Sequence, residues 1–286
     1  MSGPRKGAAA GRVLLTGATG FIGSHCVAPL LARGYEIVAT CHGRQPRPIE
    51  GVHWLQTDLL DDASIARTVE QAAASHLLHL AWFVEPGKMI NDAANLSWLK
   101  ASIELLQRFH RAGGRRALIG GSCYEYDWRY GYCSESLTPS RPDTLYGAAK
   151  HALAQAFLGY CAATGLSGAW GRMFFLYGPN ENPRRLVPSV ILSLLKGQEA
   201  QSSHGLQIRD YMHVQDVADG LTALLDAPAT GLYNIASGQA TTIRSIVETL
   251  GEVSGRAELL RIGQENDAIG EKVGNDGAPV DATVAL

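Results

Sequence analysis

The chain contains Val13-Leu14-Leu15-Thr16-Gly17-Ala18-Thr19-Gly20-Phe21-Ile22-Gly23, a short apolar run followed by three evenly spaced glycines. The apolar residues predict a buried strand, and the pattern after Gly20 is helical as far as Arg33. Strand, glycine turn and helix in this order are the context of a dinucleotide-binding site. Gly17 allows the tight turn, Gly20 lets the backbone approach a pyrophosphate, and Gly23 lets helix and strand pack closely. The helix N–H groups and dipole then face the phosphates.

Short apolar runs alternate with amphipathic stretches along the first two thirds of the chain. The predicted strands are 13–16, 36–40, 53–56, 76–80, 116–120, 167–176 and 232–235. After a first helix that ends at Gly34, the predicted helices are 62–73, 91–111, 145–164, 186–195, 214–225 and 243–253. This alternation predicts an α/β fold, a Rossmann-type doubly wound parallel sheet with helices on both faces.

The composition of the sequence changes after Tyr177-Gly178-Pro179, where a polar, turn-rich segment precedes another apolar helix. We therefore predict a smaller carboxyl-terminal substrate lobe beside the sheet. The predicted divisions are a loose tail at 1–12, a dinucleotide-binding domain at 13–177 to which 213–236 returns, and a substrate lobe made of 178–212 and 237–286.

Composition excludes several classes of function. The formal net charge of −2 gives the chain no electrostatic affinity for nucleic acid or for an anionic membrane. No apolar run is long enough to span a bilayer. The five cysteines, at positions 26, 41, 123, 133 and 161, are scattered and lack the spacing of a metal site. We expect a cytoplasmic protein with reduced thiols and no metal.

A second motif, Tyr146-Gly-Ala-Ala-Lys150, lies in a strongly helical stretch. Residues four apart share a helical face, so the lysine lies near the phenol and favours its ionised form. A tyrosine of ordinary pKa about 10 then becomes a usable acid or base near neutral pH. Ser122 follows a predicted strand, at the sheet edge where ligands bind in open α/β folds. The alternatives are a surface tyrosine–lysine pair and a simple turn serine.

Together these motifs resemble the extended short-chain dehydrogenase/reductase family of sugar-nucleotide epimerases, dehydratases and reductases. The resemblance covers about residues 12–250. Besides the glycine turn, Ser122 with Tyr126, and the Tyr146–Lys150 pair, it is carried by Thr57-Asp58-Leu59-Leu60-Asp61, His79-Leu80-Ala81, Tyr177-Gly178-Pro179, Arg209-Asp210-Tyr211-Met212-His213-Val214 with Asp216, and Tyr233-Asn234-Ile235.

The resemblance implies a nicotinamide cofactor, a nucleoside-diphosphate sugar as substrate, and Ser122, Tyr146 and Lys150 as the catalytic set. Lys150 also holds the nicotinamide ribose, and Arg209 faces the substrate phosphates. The implied cofactor-binding residues are Gly17, Gly20, Phe21, Ile22, Gly23, Asp58, Leu59, Leu80, Ala81, Tyr146 and Lys150. A homodimer that pairs the 91–111 and 145–164 helices is implied in the same way. The alternatives are a helix cap for Asp58 and a surface ion pair for Arg209.

The choice of cofactor follows from a difference between this sequence and the family pattern after the second strand. Family members that prefer NAD carry an acid after the second strand, which binds the ribose 2′-hydroxyl. Here that region is Thr40-Cys41-His42-Gly43-Arg44, which lacks an acid, and Glu36 stands at the wrong end of the strand. The guanidinium of Arg44, with Arg47 nearby, suits a 2′-phosphate. We predict NADP as the cofactor, with NAD as the alternative if both arginines are solvated.

Other departures concern the substrate. Family dehydratases carry an Asp-Glu pair after the catalytic Ser or Thr, whereas Cys123-Tyr124 stand here. Glu125 comes one place late and points the other way if the segment is extended. Dehydration is therefore not expected. Phe175 replaces a substrate-binding asparagine, a role that Asn180 is placed to take over. The predicted substrate-binding residues are Trp82, Ser122, Tyr124, Asn180 and Arg209, within an aromatic set that also includes Phe83, Tyr126 and Trp128.

The sequence thus predicts a sugar-nucleotide 4-ketoreductase, in which hydride passes from NADPH to a 4-keto sugar and Tyr146 donates the proton. A 4-epimerase would use the same residues with firmly retained NAD. A non-catalytic, cofactor-sensing binding protein is the hypothesis from a different class.

Overall fold

The computed structural model describes residues 11–43, 45–85, 87–263 and 282–285. Most of the tail predicted at 1–12 therefore lies outside the described residues. Its last two residues do not belong to a tail, because the first strand begins at Gly11. Arg12 in that strand donates a hydrogen bond of 3.0 Å to the carboxylate of Glu36, which fixes the start of the sheet.

The described residues form fifteen strands and seven α-helices. The strands are β1 (Gly11–Thr16), β2 (Tyr35–Cys41), β3 (Val52–Gln56), β4 (His76–His79), β5 (Arg116–Ser122), β6 (Tyr132–Cys133), β7 (Ser167–Met173), β8 (Phe175–Tyr177), β9 (Ala200–Ser202), β10 (Ile208–Arg209), β11 (Tyr211–His213), β12 (Gly231–Ile235), β13 (Thr241–Thr242), β14 (Leu260–Ile262) and β15 (Ala282–Ala285). The helices are α1 (Phe21–Ala32), α2 (Asp62–Ala72), α3 (Ala94–Arg111), α4 (Leu145–Thr164), α5 (Leu186–Leu195), α6 (Val214–Asp226) and α7 (Ile243–Ser254).

Seven strands form one parallel sheet in the order β3-β2-β1-β4-β5-β7-β12. The strand order reverses direction at β1, whose neighbours are β2 on one side and β4 on the other. In open α/β sheets such a switch point creates a crevice at the carboxyl ends of the strands, where ligands bind. The predicted Rossmann-type doubly wound sheet is therefore confirmed.

Apolar side chains cover both faces of this sheet. In β1, Leu14 packs toward α2, α3 and α4, whereas Val13 and Leu15 pack toward α1 and α6. All three side chains are fully buried. A strand buried on both faces has a continuous apolar run rather than an alternating one, which is the pattern of the sequence before Gly17.

Local signals explain where the helices begin and end. Asp61 caps α2 by accepting hydrogen bonds from two N–H groups of its first turn, and Thr144 caps α4 by accepting one from Gly147. Helix α4 ends at Gly165, which adopts a left-handed conformation. Helix α1 differs, because Gly20 at its N-cap makes no side-chain hydrogen bond and its first turn holds no acid. The N-terminus of α1 is therefore left for another hydrogen-bond acceptor.

The stretch predicted as one strand at 167–176 forms two strands. β7 stays in the main sheet, whereas β8 leaves it and pairs in parallel with β11. The remaining short strands form a four-stranded sheet, β13-β10-β15-β6, and the pair β14-β9. The buried carboxylate of Asp210 joins these parts, because it accepts hydrogen bonds from Ser237, Gly238 and Ala285. β6 lies within the predicted dinucleotide-binding range, yet it pairs with β15, which in turn pairs with β10, the strand that contains Arg209. Part of that range therefore belongs to the four-stranded sheet.

Within the described ranges, no helix is both long and apolar enough to cross a membrane. The same ranges contain no disulfide. They also contain no group of three or more His, Cys, Asp or Glu side chains arranged to hold a metal ion.

The buried guanidinium of Arg116 joins the first residue of β5 to the end of α6. It donates hydrogen bonds to the carbonyl oxygens of Leu224 at 2.7 Å and Leu225 at 3.2 Å, and to the Ser167 hydroxyl at 2.8 Å. Arg116 lies at the amino-terminal edge of the sheet, opposite the edge where ligands bind in this class of fold. Its contribution is therefore to stability.

We expect Arg116→Met to lower the free energy of unfolding by about 1.5–3 kcal/mol, because buried acceptors lose hydrogen bonds from a charged donor. Urea denaturation measures this change. The control is Arg115→Met at the exposed neighbouring position, which is expected to be nearly neutral. Equal effects of the two substitutions would contradict the role given to the Arg116 guanidinium.

Candidate active site

Ser122, Tyr146 and Lys150 meet at the carboxyl edge of the sheet. Ser122 is the last residue of β5, and the other two lie in the first turns of α4. The Ser122 hydroxyl lies beside the Tyr146 phenol, where its effect is to lower the pKa of that phenol. The ammonium of Lys150 donates to the carbonyl oxygen of Gly120 at 2.8 Å and lies 3.8 Å from the ring centroid of Trp82. The structure thus brings the three predicted catalytic residues together.

Burial controls the ionisation of the two helix residues. It raises the pKa of the Tyr146 phenol above its ordinary value, and it lowers the pKa of the Lys150 ammonium to about 7. The sequence predicted that the lysine would favour ionisation of the phenol. That expectation stays a prediction: burial is the largest influence on the pKa of the phenol, and the Lys150 ammonium contacts Gly120 and Trp82. Tyr146 therefore carries its proton near neutral pH.

The glycine turn forms a cradle in which side chains would not fit. Gly17 has a φ of +73°, and a Cβ on it would lie 2.8 Å from the Ala81 backbone nitrogen. A Cβ on Gly23 would overlap the carbonyl oxygen of Gly17. The N–H of Gly20 donates to that same oxygen at 2.9 Å. Phe21 and Ile22 then form the first turn of α1.

A cavity of about 240 Å³ lies beside this cradle. Its walls include Gly17, Cys41, Asp58, Leu59 and Ala81, which come from the carboxyl ends of several parallel strands and the loops that follow them. A glycine cradle, an uncapped helix N-terminus and an adjoining cavity together fit a dinucleotide.

Asp58 and the end of β2 are the parts of the cavity that bear on the choice between NAD and NADP. The Asp58 carboxylate accepts from the N–H of Leu60 at 2.9 Å. Asp61, not Asp58, caps the next helix, so the helix-cap alternative is wrong. Cys41 and His42 from the end of β2 and the loop after it line the cavity, and neither is an acid. Arg44 lies outside the described residues, and its predicted contact with a 2′-phosphate stays a prediction.

A buried hydrogen-bond network joins β1, β4 and α3 at the switch point. Ser102 donates its proton to the Trp98 carbonyl oxygen at 2.7 Å, so it accepts from Nε2 of His79 at 2.8 Å. Nδ1 of His79 therefore accepts from the Thr16 hydroxyl at 2.6 Å. Burial lowers the pKa of His79 to about 3, which keeps the ring neutral. The Thr16 oxygen also accepts from the N–H groups of Leu80 and Ala81.

Sequence reasoning assigned no role to this network. The signal that was present is a polar residue at the end of each of two adjacent apolar runs, Thr16 and His79.

An aromatic wall extends from Tyr146 toward Arg209. The ring of Tyr124 lies 5.6 Å from that of Tyr146 and 4.7 Å from that of Trp128. Trp128 in turn lies 6.2 Å from Phe175, the residue that replaces the family asparagine. The buried guanidinium of Arg209 lies over Trp128 at 5.6 Å and over Phe175 at 5.4 Å. The alternative of a surface ion pair for Arg209 is therefore wrong.

The other predicted substrate residues differ in position. Trp82 is largely buried, donates its indole N–H to Asn95 at 2.9 Å, and packs edge-on against Tyr146. Asn180 is exposed, with a φ of +69°, in the loop between β8 and α5. Tyr126 is buried away from Tyr146, in contact with Phe174 and hydrogen-bonded to Asn234.

Glu125 does point away from the site, though the reason differs from the expected one. The segment after Ser122 is not extended but forms a 3₁₀ turn over Cys123–Glu125. This turn directs the Glu125 carboxylate into the core, where it pairs with Arg172. The partner is 47 positions away in the sequence, which hides the pair from any local pattern.

The comparisons with known proteins agree with this geometry. A model of the NAD dependent epimerase/dehydratase family matches residues 13–236. The dTDP-6-deoxy-L-talose 4-dehydrogenase (NAD(+)) of Aggregatibacter actinomycetemcomitans is 24% identical, over 82% of this chain and 88% of that protein. The UDP-glucose 4-epimerase of Streptomyces lividans is 26% identical, over 86% of this chain and 82% of that protein.

Solved structures show the same architecture. The UDP-glucose 4-epimerase of Thermus thermophilus in complex with NAD has a TM-score of 0.78 at 27% identity, over 88% of this chain and 85% of that chain. MoeE5 in complex with UDP-glucose and NAD has a TM-score of 0.77 at 29% identity, over 96% of this chain and 89% of that chain.

The family match begins in β1 and ends just after β12, so it includes the glycine cradle and the helix that carries Tyr146 and Lys150. It confirms the resemblance noted from the sequence motifs, and it supports an oxidoreductase-type enzyme over a cofactor-sensing binding protein. The chain belongs to the NAD dependent epimerase/dehydratase family.

Proposed function

We propose that the protein is a nucleoside-diphosphate-sugar 4-ketoreductase that uses NADPH. The observation that carries the proposal is the placement of Ser122, at the end of β5, beside Tyr146, in the first turn of α4, between the dinucleotide cradle and the aromatic wall. Two hydroxyl groups that converge on one point can hold a single substrate oxygen. The relative named as a 4-dehydrogenase of a dTDP-6-deoxy sugar supports chemistry at the same sugar carbon.

In this proposal Tyr146 is the general acid. Its O–H bond breaks as the sugar oxygen at C4 gains negative charge, and a new O–H bond forms on the sugar. Ser122 donates a hydrogen bond to the same oxygen and orients it toward the phenol. The raised pKa of Tyr146 suits this direction of reaction, because the phenol carries its proton when the ketone arrives.

The glycine cradle, Asp58 and Lys150 are the residues that would hold the dinucleotide. When bound, its nicotinamide supplies the hydride that reduces the ketone. Lys150 is the residue that would hold the nicotinamide ribose, and its positive charge would stabilise the phenolate that Tyr146 becomes. Largely buried Trp82 excludes water from the same place.

The substrate extends along the aromatic wall. Its sugar lies near Tyr146 and Tyr124, and its diphosphate reaches the guanidinium of Arg209. Trp128 and Phe175 support this arrangement because they flank the guanidinium and hold it in place. Exposed Asn180 is the more peripheral candidate, at the entrance to the lobe.

A 4-epimerase is the second candidate, favoured by similarity to UDP-glucose 4-epimerases, including the Thermus thermophilus structure with NAD. An epimerase must retain its cofactor between the oxidation and reduction of one sugar. The end of β2 argues for the reductase, since Cys41 and His42 offer no carboxylate to the adenosine ribose.

One assay separates the two activities. The purified protein is incubated with UDP- and dTDP-linked 4-keto and 4-hydroxy sugars, with and without added NADPH. A reductase consumes NADPH in proportion to the alcohol formed. Interconversion of two 4-hydroxy sugars without net consumption would identify an epimerase instead. A product lighter by one water would contradict our interpretation of Cys123-Tyr124.

Tyr146→Phe is expected to lower kcat by about 10²–10⁴-fold, because it keeps the ring and its packing but removes the transferable proton. Cofactor affinity and melting temperature should change little. Lys150→Met serves as the comparison, since it should weaken both cofactor binding and turnover. Reduction at the parental rate by Tyr146→Phe would exclude this residue as the proton donor.

The cofactor prediction concerns the adenosine end of the cavity. NADPH should bind more tightly than NADH, and Arg44→Ala should weaken NADPH alone, by about 1.5–3 kcal/mol. Cys41→Asp is the converse variant, because a carboxylate at the end of β2 repels a 2′-phosphate and accepts from a ribose hydroxyl. Fluorescence titration with both cofactors measures these changes. Tighter binding of NADH by the parent protein would reject the NADP preference.

We also propose a homodimer in which α3 and α4 pair with their copies. Support comes from the outer face of α4, where most exposed residues are small, namely Ala148, Ala152, Ala156 and Gly159, with Gln155 among them as the larger exception. A Cβ added to Gly159 would meet nothing within 4 Å in the single chain. Small side chains let two helices approach closely.

Ala156→Arg should therefore convert a dimer into a monomer, because a large charged side chain would stand between the helices. Sedimentation equilibrium measures the mass. The control is Ala32→Arg, the same substitution at an exposed position at the end of α1. A dimer unaffected by Ala156→Arg would place the interface elsewhere.

A further inference from the structure

Glu125 is a fully buried carboxylate directly behind Ser122. Its Oε1 accepts from the Ser122 backbone N–H at 2.8 Å and from the Trp170 indole at 2.9 Å. Its Oε2 accepts from Nε of Arg172 at 2.8 Å. Glutamate is almost never fully buried unless it is paired, and here both oxygens have donors.

These contacts fix the backbone of a catalytic residue. Ser122 and Glu125 form a reciprocal capping box, and the Ser122 hydroxyl also accepts from the N–H of Tyr124 at 3.3 Å. The orientation of the Ser122 hydroxyl toward Tyr146 therefore depends on a turn that the Glu125 carboxylate closes. A strand can end without a buried carboxylate that closes the following turn.

The surrounding sequence provides the space for this carboxylate. A Cβ on Gly121 would lie 2.6 Å from Oε1 of Glu125 and would overlap the Trp170 indole nitrogen. The partner Arg172 is itself buried, donates to Ser140 at 2.8 Å, and lies 4.3 Å from the Tyr126 ring centroid. The ion pair of Glu125 and Arg172 is therefore held by residues from several elements of the fold.

The charge of Glu125 acts on both ionisable catalytic groups. Burial is the main influence on each, raising the pKa of Tyr146 and lowering that of Lys150, and the negative charge of Glu125 raises both pKa values. The other titratable or charged groups that interact with these two residues or with the ion pair are Cys123, Arg185, His151, Tyr126 and His79, together with Arg172 itself.

We propose that Glu125 is a positioning residue of this active site: held by Arg172 and Trp170, its carboxylate closes the turn that sets the Ser122 hydroxyl beside Tyr146. The inference rests on the proposed function for its kinetic part only. It assigns a role to a carboxylate that never touches the substrate, and it differs from the role of the acid pair in the family dehydratases.

The first test is Glu125→Gln, which keeps the shape of the side chain and removes its charge. We expect kcat to fall by about 10- to 100-fold, the scale on which a misplacement of about 1 Å acts, with KM little changed. The pH–rate profile should move to lower pH, because the charge that raised both pKa values is gone. A parental kcat and pH profile would overturn the proposal.

A double variant separates positioning from stability. Glu125→Leu with Arg172→Met replaces the buried ion pair by apolar groups of similar volume, a change that is often neutral for stability. Catalysis should still fall, since Ser122 loses its anchor. Arg116→Met is the matched control, because it removes a buried guanidinium at the far end of the same strand and should leave kcat unchanged. Full activity in the double variant would mean that the pair is only structural.

A readout independent of turnover keeps this inference separate from the proposed function. Lysine labelled with ¹³C at Cε reports the titration of Lys150, and Lys150→Met assigns its signal. The midpoint should fall in Glu125→Gln relative to the parent protein. If the parent turns over no sugar nucleotide, the proposed function fails, and this shift still decides whether the charge of Glu125 acts on Lys150. An unchanged midpoint would refute the electrostatic role.

Discussion

The close approach between the turn after β1 and the end of β4 is the constraint on which the active site depends. A Cβ at Gly17 would collide with the Ala81 backbone, and one at Gly23 with the carbonyl of Gly17. The hydrogen bond between Thr16 and His79 also joins the ends of β1 and β4. Because the backbones are this close, the N-terminus of α1 reaches the crevice at the switch point. Ser122, Tyr146 and Lys150, the predicted catalytic residues, are brought to the same edge by β5 and α4.

The parts of this arrangement that were predictable from sequence are local. The glycine spacing indicates the cradle, and the four-residue spacing of Tyr146 and Lys150 places both side chains on one helical face. The doubly wound parallel sheet follows from the alternation of short apolar runs with helices. The family match confirms the resemblance on which the site residues depend.

The parts that were not predictable involve partners distant in sequence or competing forces. No local pattern connects Glu125 to Arg172 or Thr16 to His79, because each pair joins separate strands or turns. The raised pKa of Tyr146 was hidden too, because it comes mainly from burial of the phenol in the folded chain. The departure of β8 from the main sheet was hidden as well, since its residues continue the apolar character of β7.

The position of β15 has a consequence for how the protein assembles during synthesis. This strand lies between β10 and β6, and the Asp210 carboxylate accepts from the N–H of Ala285 within it. The sheet that carries Arg209 therefore gains one of its inner strands from residues 282–285, which leave the ribosome after all the other described residues. Segments made earlier fold first, so the glycine cradle is complete while the sheet that carries Arg209 still lacks an inner strand. The two parts of the candidate site would therefore form one after the other in a nascent chain.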